Sequence, residues 1–179
     1  ETLNRERQEL VATISDEALA QAQPLTADPV LVIAGHGWHE GVLGIVASKV
    51  VEATGKPAIV LNDEDGQMKG SGRSVPAFDL FAGLDGHRDL LTAFGGHASA
   101  AGMTIPTANL QAVRDVLRTE ADAQGLAEAG LPEIRVAAEV TAKEFNAQNY
   151  EQLQVLAPLG EGNPEPLFAV ALNGVQNVK

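Results

Sequence analysis

The spacing of apolar and polar residues predicts that the chain begins with a helix. Residues 2–22 contain neither glycine nor proline and place apolar side chains at helical intervals, at Leu3, Leu10, Ile14 and Ala18. One amphipathic helix that packs on another element fits this pattern. Its narrow apolar stripe and dense charge suit a connector between domains over residues 1–24, and equally a surface helix of the domain that follows.

A strand, a helix and a second strand are predicted next. The apolar run Val30–Ala34 is typical of a strand buried on both faces. Apolar residues then recur at helical spacing over Val42–Val51, and Gly55 closes that helix. Ala58–Asn62 is a second apolar run. These elements predict an α/β domain with a mixed sheet and flanking helices, over residues 25–128.

The following segment is predicted to form a hairpin and then helices. The turn Asp63–Gly66 joins the second strand to a third one, Gln67–Arg73. Two short helices are expected after it, Phe78–Leu84 and Arg88–Phe94. A longer helix is expected over residues 107–124, because its apolar residues recur on one face.

The pattern changes after a predicted linker, Gly125–Pro132. Alternating residues over 134–140 predict a half-exposed strand. Thr141–Glu144 has the form of a capping box, which predicts that a helix begins there.

The last segment indicates a domain that continues beyond the sequence. Leu167–Leu172 predicts a strand, and Asn173-Gly174 predicts the type I′ turn of a hairpin whose return strand is cut short. We therefore expect residues 133–179 to be the beginning of a β-rich, OB-like region, and the chain to be a fragment of a longer protein.

Composition and charge narrow the function classes. The chain has 179 residues, 45% hydrophobic and 4% aromatic, so its core is mostly aliphatic. It lacks cysteine, which excludes disulfides and thiolate sites. Its apolar runs are far shorter than the roughly 20 residues of a membrane-spanning helix, so we expect a soluble, cytoplasmic protein without a membrane partner. A net charge of -12 argues against nucleic-acid binding by bulk charge, so any anion must be bound locally.

The strongest candidate for chemistry is the segment Lys69–Ser74. In a strand the side chains alternate between faces, so Lys69, Ser71 and Arg73 share one face. All three donate hydrogen bonds, two are cationic, and phosphate oxygens only accept, so this row suits a phosphodiester, with Arg73 able to bind in a bidentate manner. The segment is equally typical of an exposed polar edge strand whose glycines let another backbone pack closely.

Gly95-Gly96-His97 is the second candidate. Paired glycines reach positive φ freely and can direct successive N–H groups toward one anion, and His97 adds a donor whose charge can change near neutral pH. A loop of this kind beside Arg73 would cradle a phosphate. The same sequence is also typical of a tight turn between a helix and a strand, in which the histidine ring already has its hydrogen-bond partners within the fold.

The third candidate is the loop Gly35–Gly41, between a predicted strand and the start of a helix, where an anion is favoured. Trp38, His39 and Glu40 fill positions where dinucleotide loops need small residues, so that function is only weakly indicated. His36, His39 and Glu40 belong to no larger cluster of metal ligands, so no metal site is predicted in this chain. Trp38 either covers the core or stacks on a base.

Four blocks of sequence together resemble the RecJ family of single-stranded-DNA-specific exonucleases. They are Gly37–Ala47, Gly70–Ser74, Gly95–Gly102 and Leu156–Pro166. Gly-Gly-His followed by small residues is shared across the DHH phosphoesterase superfamily, whereas Gly-Trp-His and Gly-Asn-Pro-Glu-Pro point to RecJ more narrowly. The resemblance covers nearly the whole chain and implies a 5′ to 3′ exonuclease of DNA repair and recombination.

The resemblance also implies a layout. RecJ proteins have a catalytic DHH domain that holds two Mn²⁺ or Mg²⁺ ions, then a long helix, a DHH-associated domain and an OB-fold. By that layout residues 1–24 are the end of the helix, 25–128 the substrate-binding associated domain, and 133–179 the opening of the OB-fold. The DHH motif is absent from this sequence. The metal ions would therefore be bound elsewhere in the full-length enzyme, and this chain alone would be inactive.

Site residues follow from the same resemblance. Arg73 and His97 would be catalytic, because they would neutralise phosphate charge and stabilise the transition state. By the resemblance Ser71, Ser74 and Gly96 would be substrate-binding residues, and the motifs described above add Lys69, Gly95, Trp38 and His39. The expected partners are single-stranded DNA and a single-strand-binding protein or helicase.

Two other functions remain open at this stage. Helices over residues 2–22 and 107–124 offer surfaces for a nonenzymatic, partner-binding module. A phosphodiesterase of the same superfamily that acts on small nucleotides is the second alternative.

Overall fold

The computed structural model describes residues 2–129, 135–160 and 162–171 of the protein. The chain divides into two units, residues 1–130 and 131–179. The helices of the first unit are α1 (Thr2–Ala22), α2 (Glu40–Thr54), α3 (Leu80–Asp85) and α4 (Leu110–Ala123). Its strands are β1 (Leu31–Gly35), β2 (Ala58–Glu64), β3 (Gln67–Arg73), β4 (Ala93–His97) and β5 (Ala100–Pro106). The domain boundaries expected from the sequence stay predictions.

The five strands of this unit form one mixed sheet in the order β1-β2-β3-β5-β4. Strands β1 and β2 are parallel, because α2 carries the chain back across the sheet between them, and the other neighbouring pairs are antiparallel. The predicted α/β class, a mixed sheet with flanking helices, is confirmed.

Each face of the sheet packs against a different pair of helices. On one face, α1 and α2 cover β1 and the first half of β2, burying apolar residues such as Ile33, Val46 and Val60. On the other face, α3 and α4 cover side chains such as Ile59 and Ile105. The cores are aliphatic, as the composition predicts, and the first one reaches only as far as β2 in the sheet.

Local sequence signals explain where two of these elements end. Gly55 closes α2 in the left-handed conformation, with φ 69°, as the sequence predicts. Between β2 and β3, Asp65 and Gly66 have φ values of 51° and 77°, the two positive φ angles of a type I′ hairpin. The predicted turn therefore fixes the register of β3 against β2 and, with it, the face on which Arg73 lies.

The helix predicted over Arg88–Phe94 is wrong. A short 3₁₀ turn covers Arg88–Leu90, and the chain then enters β4. Phe94 stacks on Phe81 with ring centroids 5.1 Å apart, while the backbone of β4 pairs with β5. Pairing in the sheet outweighs the helical spacing of the apolar residues, as it often does for short segments.

The second unit contains a small parallel pair of strands, β6 (Ala138–Val140) and β7 (Phe168–Val170), and a helix, α5 (Ala147–Gln152). Both strands were expected over longer ranges. The hairpin predicted at Asn173-Gly174 lies outside the described residues.

The predicted capping box forms only in part. The Thr141 N–H and hydroxyl donate to Glu144 Oε2 at 2.8 and 2.7 Å, and the backbone hydrogen bond, followed by that of the hydroxyl, lowers the pKa of Glu144. The helix nevertheless begins later, because Asn146 accepts from the Asn149 N–H and caps α5. The prediction that a helix starts at Thr141 is therefore wrong.

No helix within the described ranges is both long enough and apolar enough to cross a membrane.

Candidate functional site

A row of polar side chains continues the apolar face that α1 and α2 cover. The strand register places Leu31, Ala58 and Arg73 side by side, and Ile33, Val60 and Ser71 side by side in the next row. Residues that are directly opposite share a face of the sheet. This face is therefore apolar on β1 and β2 and becomes polar on β3, where Lys69, Ser71 and Arg73 lie, as the alternation predicts.

Arg73 is held by short-range hydrogen bonds and by the edge of α2. Its Nη1 donates to Ser71 Oγ and to the Gly72 carbonyl, both at 2.8 Å. On α2, a Cβ at position 44 would lie 2.8 Å from Arg73 Nη2, so the guanidinium occupies space that Gly44 leaves empty. The half-buried side chain is thus oriented while several of its donors remain available to an anion.

His97 lies in the same row as Arg73, across β5. The register aligns Arg73 with Ala100 and Ala100 with His97, which puts the two Cα atoms roughly 10 Å apart at ordinary strand spacing. The His97 ring is exposed, and its Nδ1 lies 3.0 Å from Ser99 Oγ. If the hydroxyl donates to Nδ1, the neutral ring carries its proton on Nε2, where it can donate to a ligand.

Neither of these two groups is neutralised by an acidic residue that the structure describes. Within the described ranges, no carboxylate forms an ion pair with Arg73 or His97. The two side chains share a face, and an anion that lies above Ala100 would be within reach of both.

Beside these residues the same face of β4 and β5 is bare. It consists of Ala93, Gly95, Ala100, Gly102 and Thr104, which we call the open strip. Gly95 and Gly102 are exposed, and a Cβ at either position would meet no atom of the described residues within 4 Å. Because α2 packs over β2 and β3, the strip forms a flat floor with a helix along one side and Arg73 and His97 at one end.

The loop predicted at Gly95-Gly96 is wrong, because both residues belong to β4. In a strand successive N–H groups point in opposite directions, so the two amides do not converge on one anion in the predicted way. Gly96 has φ 152°, and a Cβ there would collide with the Ala100 carbonyl, so glycine is required at this position. Gly95 instead leaves its part of the open strip uncovered, because it has no side chain.

Lys69 lies at the opposite end of the polar row and is already paired. Its Nζ is 2.5 Å from Glu40 Oε2, in the first turn of α2, and both side chains are largely exposed. Ser74 is also engaged, since its hydroxyl donates to the Phe78 carbonyl at 2.7 Å and its N–H donates to the Ser99 carbonyl. In this state one N–H of the Lys69 ammonium group faces a carboxylate, whereas both the hydroxyl and the backbone N–H of Ser74 are engaged.

Trp38 and His39 have structural roles in this arrangement. Trp38 is 4% exposed and belongs to the core beneath α1 and α2; its Nε1 donates to Glu17 at 2.7 Å and its N–H to Asn62 Oδ1 at 2.9 Å. Of the two roles predicted for Trp38, the geometry favours core cover over base stacking. The exposed His39 caps α2, because its Nδ1 accepts from the Gly41 N–H.

The site does not fit a metal ion. The polar row consists of cationic and donor groups, and the described residues contain no group of three or more histidines and acids that could hold one.

Gly44 and Gly102 are parts of the site that the sequence does not single out, and Glu40 is singled out there only beside His36 and His39, not as a partner of Lys69. Gly44 and Glu40 stand one helical turn apart on α2, so they face the same strand. The sequence indicates only that the two residues share a face of the helix. Their part in the site follows from the position of β3 beneath that face, which the sequence does not give.

Gly44→Ala is expected to leave the fold intact and to impair the site. Alanine favours a helix interior over glycine by roughly 0.5–1 kcal/mol, but its Cβ would displace the Arg73 guanidinium. A displaced guanidinium loses about one hydrogen bond to an anion, so we expect this substitution to keep the Tm and to weaken the binding of a phosphate-containing ligand about tenfold. A lower Tm with unchanged binding would contradict this role. Gly55→Ala, at the left-handed end of the same helix, should show that opposite result.

Comparisons with known proteins agree with the resemblance seen in the sequence. A family model described as the DHHA1 domain matches residues 27–123, and one described as the RecJ OB domain matches residues 136–179. The single-stranded-DNA-specific exonuclease RecJ of Bacillus subtilis is 38% identical over 180 residues, which cover 99% of this chain and 23% of that protein. RecJ of Thermus thermophilus is 35% identical over 166 residues, 93% of this chain and 24% of that protein.

Solved structures agree as well. The crystal structure of Thermus thermophilus RecJ in complex with Mg²⁺ matches with a TM-score of 0.76 and 31% identity, over 93% of this chain and 26% of that one. The same protein in complex with Mn²⁺ matches with a TM-score of 0.77 and 31% identity, over 94% of this chain and 25% of that one. The chain thus spans about a quarter of the length of these relatives. Since the DHHA1 model alone matches more than half of the residues, the chain belongs to the DHHA1 domain family, and the RecJ OB model and the RecJ relatives identify it as a RecJ-like chain that contains both regions.

Proposed function

We propose that this chain is the substrate-binding part of a longer, cytoplasmic 5′ to 3′ exonuclease for single-stranded DNA that acts in DNA repair and recombination. The observation that carries the proposal is the common row of Arg73 and His97 at one end of the open strip. A guanidinium and an imidazole beside a floor without large side chains suit a phosphate that belongs to a polymer.

In this proposal the groups of the chain bind and orient the phosphate backbone. Arg73 donates to the oxygens of the phosphodiester that is cleaved and stabilises the charge that develops on them, and His97 donates to a non-bridging oxygen of the same group. The backbone of the strand continues along the open strip. The OB region would add a surface for further nucleotides, as OB-folds commonly do for single strands.

The metal ions would come from outside this chain. The Thermus thermophilus relative was crystallised in complex with Mg²⁺ and with Mn²⁺, and such ions can activate water and stabilise the leaving oxygen in phosphodiester hydrolysis. We propose that the longer enzyme depends on one of these ions and that the chain by itself has no nuclease activity.

The experiment is a degradation assay on the full-length protein with Mn²⁺ or Mg²⁺. The substrates are 5′-phosphorylated single strands labelled at either end, and the matched duplex. We expect mononucleotides to be released from the 5′ end of the single strand, slow attack on the duplex, and no turnover by the 179-residue chain alone.

Two results would favour the alternatives. Hydrolysis of a cyclic dinucleotide without degradation of the longer strand would indicate a phosphodiesterase for small nucleotides. DNA binding that ignores salt and phosphate, without turnover, would indicate a partner-binding module, because backbone binding weakens steeply as salt rises. Pull-down with a single-strand-binding protein or a helicase tests the proposed protein partners.

A further inference from the structure

The ion pair between Lys69 and Glu40 stands at the far end of the polar row from Arg73. Lys69 is four residues from Arg73 along β3, which is about 13 Å in an extended strand. The register aligns Lys69 with Thr104 of β5 and Thr104 with Ala93 of β4, the far row of the open strip. A nucleic acid held at Arg73 must extend beyond that phosphate to reach Lys69.

The pair is exposed enough that another anion can replace its carboxylate. Nζ and Oε2 are 2.5 Å apart, yet the side chains of Lys69 and Glu40 are 59% and 45% exposed. Exposed ion pairs contribute little to stability, because water screens them and two flexible side chains must be ordered. A phosphate offers Lys69 the same acceptor chemistry, and Glu40 can turn toward solvent.

Glu40 is the acid placed to regulate this exchange. It begins α2, one turn before Gly44, so the same helix edge that accommodates Arg73 also carries the carboxylate. Within the described ranges, Glu40 is the acidic residue that pairs with a member of the polar row. Its negative charge lies where a second phosphate would have to approach.

We propose that Lys69 gives up its contact with Glu40 and binds a second backbone phosphate instead. Because Glu40 competes with that phosphate for Lys69, it limits the affinity of the protein for strands longer than a dinucleotide. This inference rests on the proposed function, since it concerns the same strip. Its consequence is a contact that forms and breaks readily. Such a contact suits an exonuclease, whose substrate must advance after each cleavage.

The test measures binding of a 5′-phosphorylated oligothymidylate to the full-length protein, with EDTA present so that the strand stays intact. Glu40→Gln keeps the size of the side chain and removes the competing charge. We expect Kd to fall about two- to fivefold, the range that corresponds to an exposed ion pair. The slope of log K against log salt should steepen by up to about 0.7, the value for one more single-strand phosphate contact.

A double-mutant cycle shows whether Lys69 carries the effect. Lys69→Met is expected to weaken binding of the oligonucleotide, and adding Glu40→Gln to it should restore little, because the two residues act through each other. Glu52→Gln is the matched control, since it makes the same change in the last turn of α2, about 18 Å along the helix from Glu40.

Three outcomes would overturn the proposal. The same gain from Glu40→Gln in the Lys69→Met background would mean simple repulsion between Glu40 and the DNA. An equal gain for a dinucleotide would mean that the pair acts at the first phosphate. An unchanged Kd with normal salt dependence would mean that no phosphate reaches Lys69. In each case, loss of binding or turnover in Arg73→Ala would leave the proposed function standing, whereas normal behaviour of Arg73→Ala would remove that function instead.

Discussion

Arg73→Ala is expected to lower the kcat of the full-length enzyme on single-stranded DNA by about 10²- to 10³-fold, the usual loss when one oriented donor to a developing oxyanion is removed. The guanidinium is fixed by Ser71, by the Gly72 carbonyl and by the space at Gly44, so its position is set before the substrate arrives. Alanine leaves no donor at this position. Single-turnover kinetics on a 5′-phosphorylated strand measures the effect on the chemical step.

Variants of Arg73 and His97 separate charge from geometry. Arg73→Lys keeps the charge and loses the planar fork, so its activity should lie between those of the wild type and of Arg73→Ala. His97→Ala is expected to lower turnover in the same direction. If both groups act on one phosphate, the double variant should lose much less than the product of the two single losses.

The matched control for this prediction is Arg88→Ala. Arg88 is exposed, pairs with Asp85 and lies over the ring of Phe94 at 5.5 Å, away from the polar row. Arg88→Ala removes the same charge from the protein as Arg73→Ala does. Because Arg88 lies away from the polar row, the turnover of this variant should stay near that of the wild type. Turnover of Arg73→Ala within about threefold of the control, with unchanged Tm, would refute the role of Arg73, because an oxyanion donor contributes far more.

The elements with strong local signals could be predicted from the sequence. The helix Thr2–Ala22 and the turn at Asp65-Gly66 follow from spacing and turn chemistry alone. That turn fixes the register of β3, and strand alternation then places Arg73, Ser71 and Lys69 on one face. The sequence alone therefore predicts that the residues of the polar row share one face of the sheet.

Elements that depend on distant partners could not be predicted in the same way. The segment Ala93–His97 is a strand because β5 pairs with it, and that partner follows only after a short turn rich in small residues. Glycine pairs are as common in loops as at sites where another backbone packs closely, so the sequence left Gly95-Gly96 ambiguous. The structure resolves this by the collision that any Cβ at position 96 would make.

The contacts that occupy or free each site residue were also beyond the sequence. Trp38 is buried because Glu17 and Asn62 accept its two N–H groups, and those acceptors lie 21 and 24 residues away. Lys69 is paired because α2 begins above β3. Residue type indicated which groups can bind phosphate, and tertiary packing decides which of them are ready to do so.

Gly102→Val is expected to leave the fold intact and to weaken the binding of single-stranded DNA by about 5- to 150-fold, the equivalent of the roughly 1–3 kcal/mol that extra methyl groups cost in filled space. Gly102 is exposed between Ser71 and Gly95 in the strand register, and a Cβ there meets no atom of the described residues within 4 Å. Valine suits a strand, so the sheet should tolerate it. The new side chain would stand on the floor of the open strip, where the proposed strand lies.

Two variants make this prediction specific. Gly102→Ala adds a single methyl group and should give a smaller loss of affinity in the same assay. Gly72→Val lies on the opposite face, where a Cβ would come within 2.5 Å of Leu80, so it should lower Tm instead. Fluorescence anisotropy with a labelled strand and thermal unfolding together distinguish the two faces. Wild-type affinity in Gly102→Val would mean that the strand does not cross the open strip, and the path of the DNA would have to lie on another surface of the enzyme.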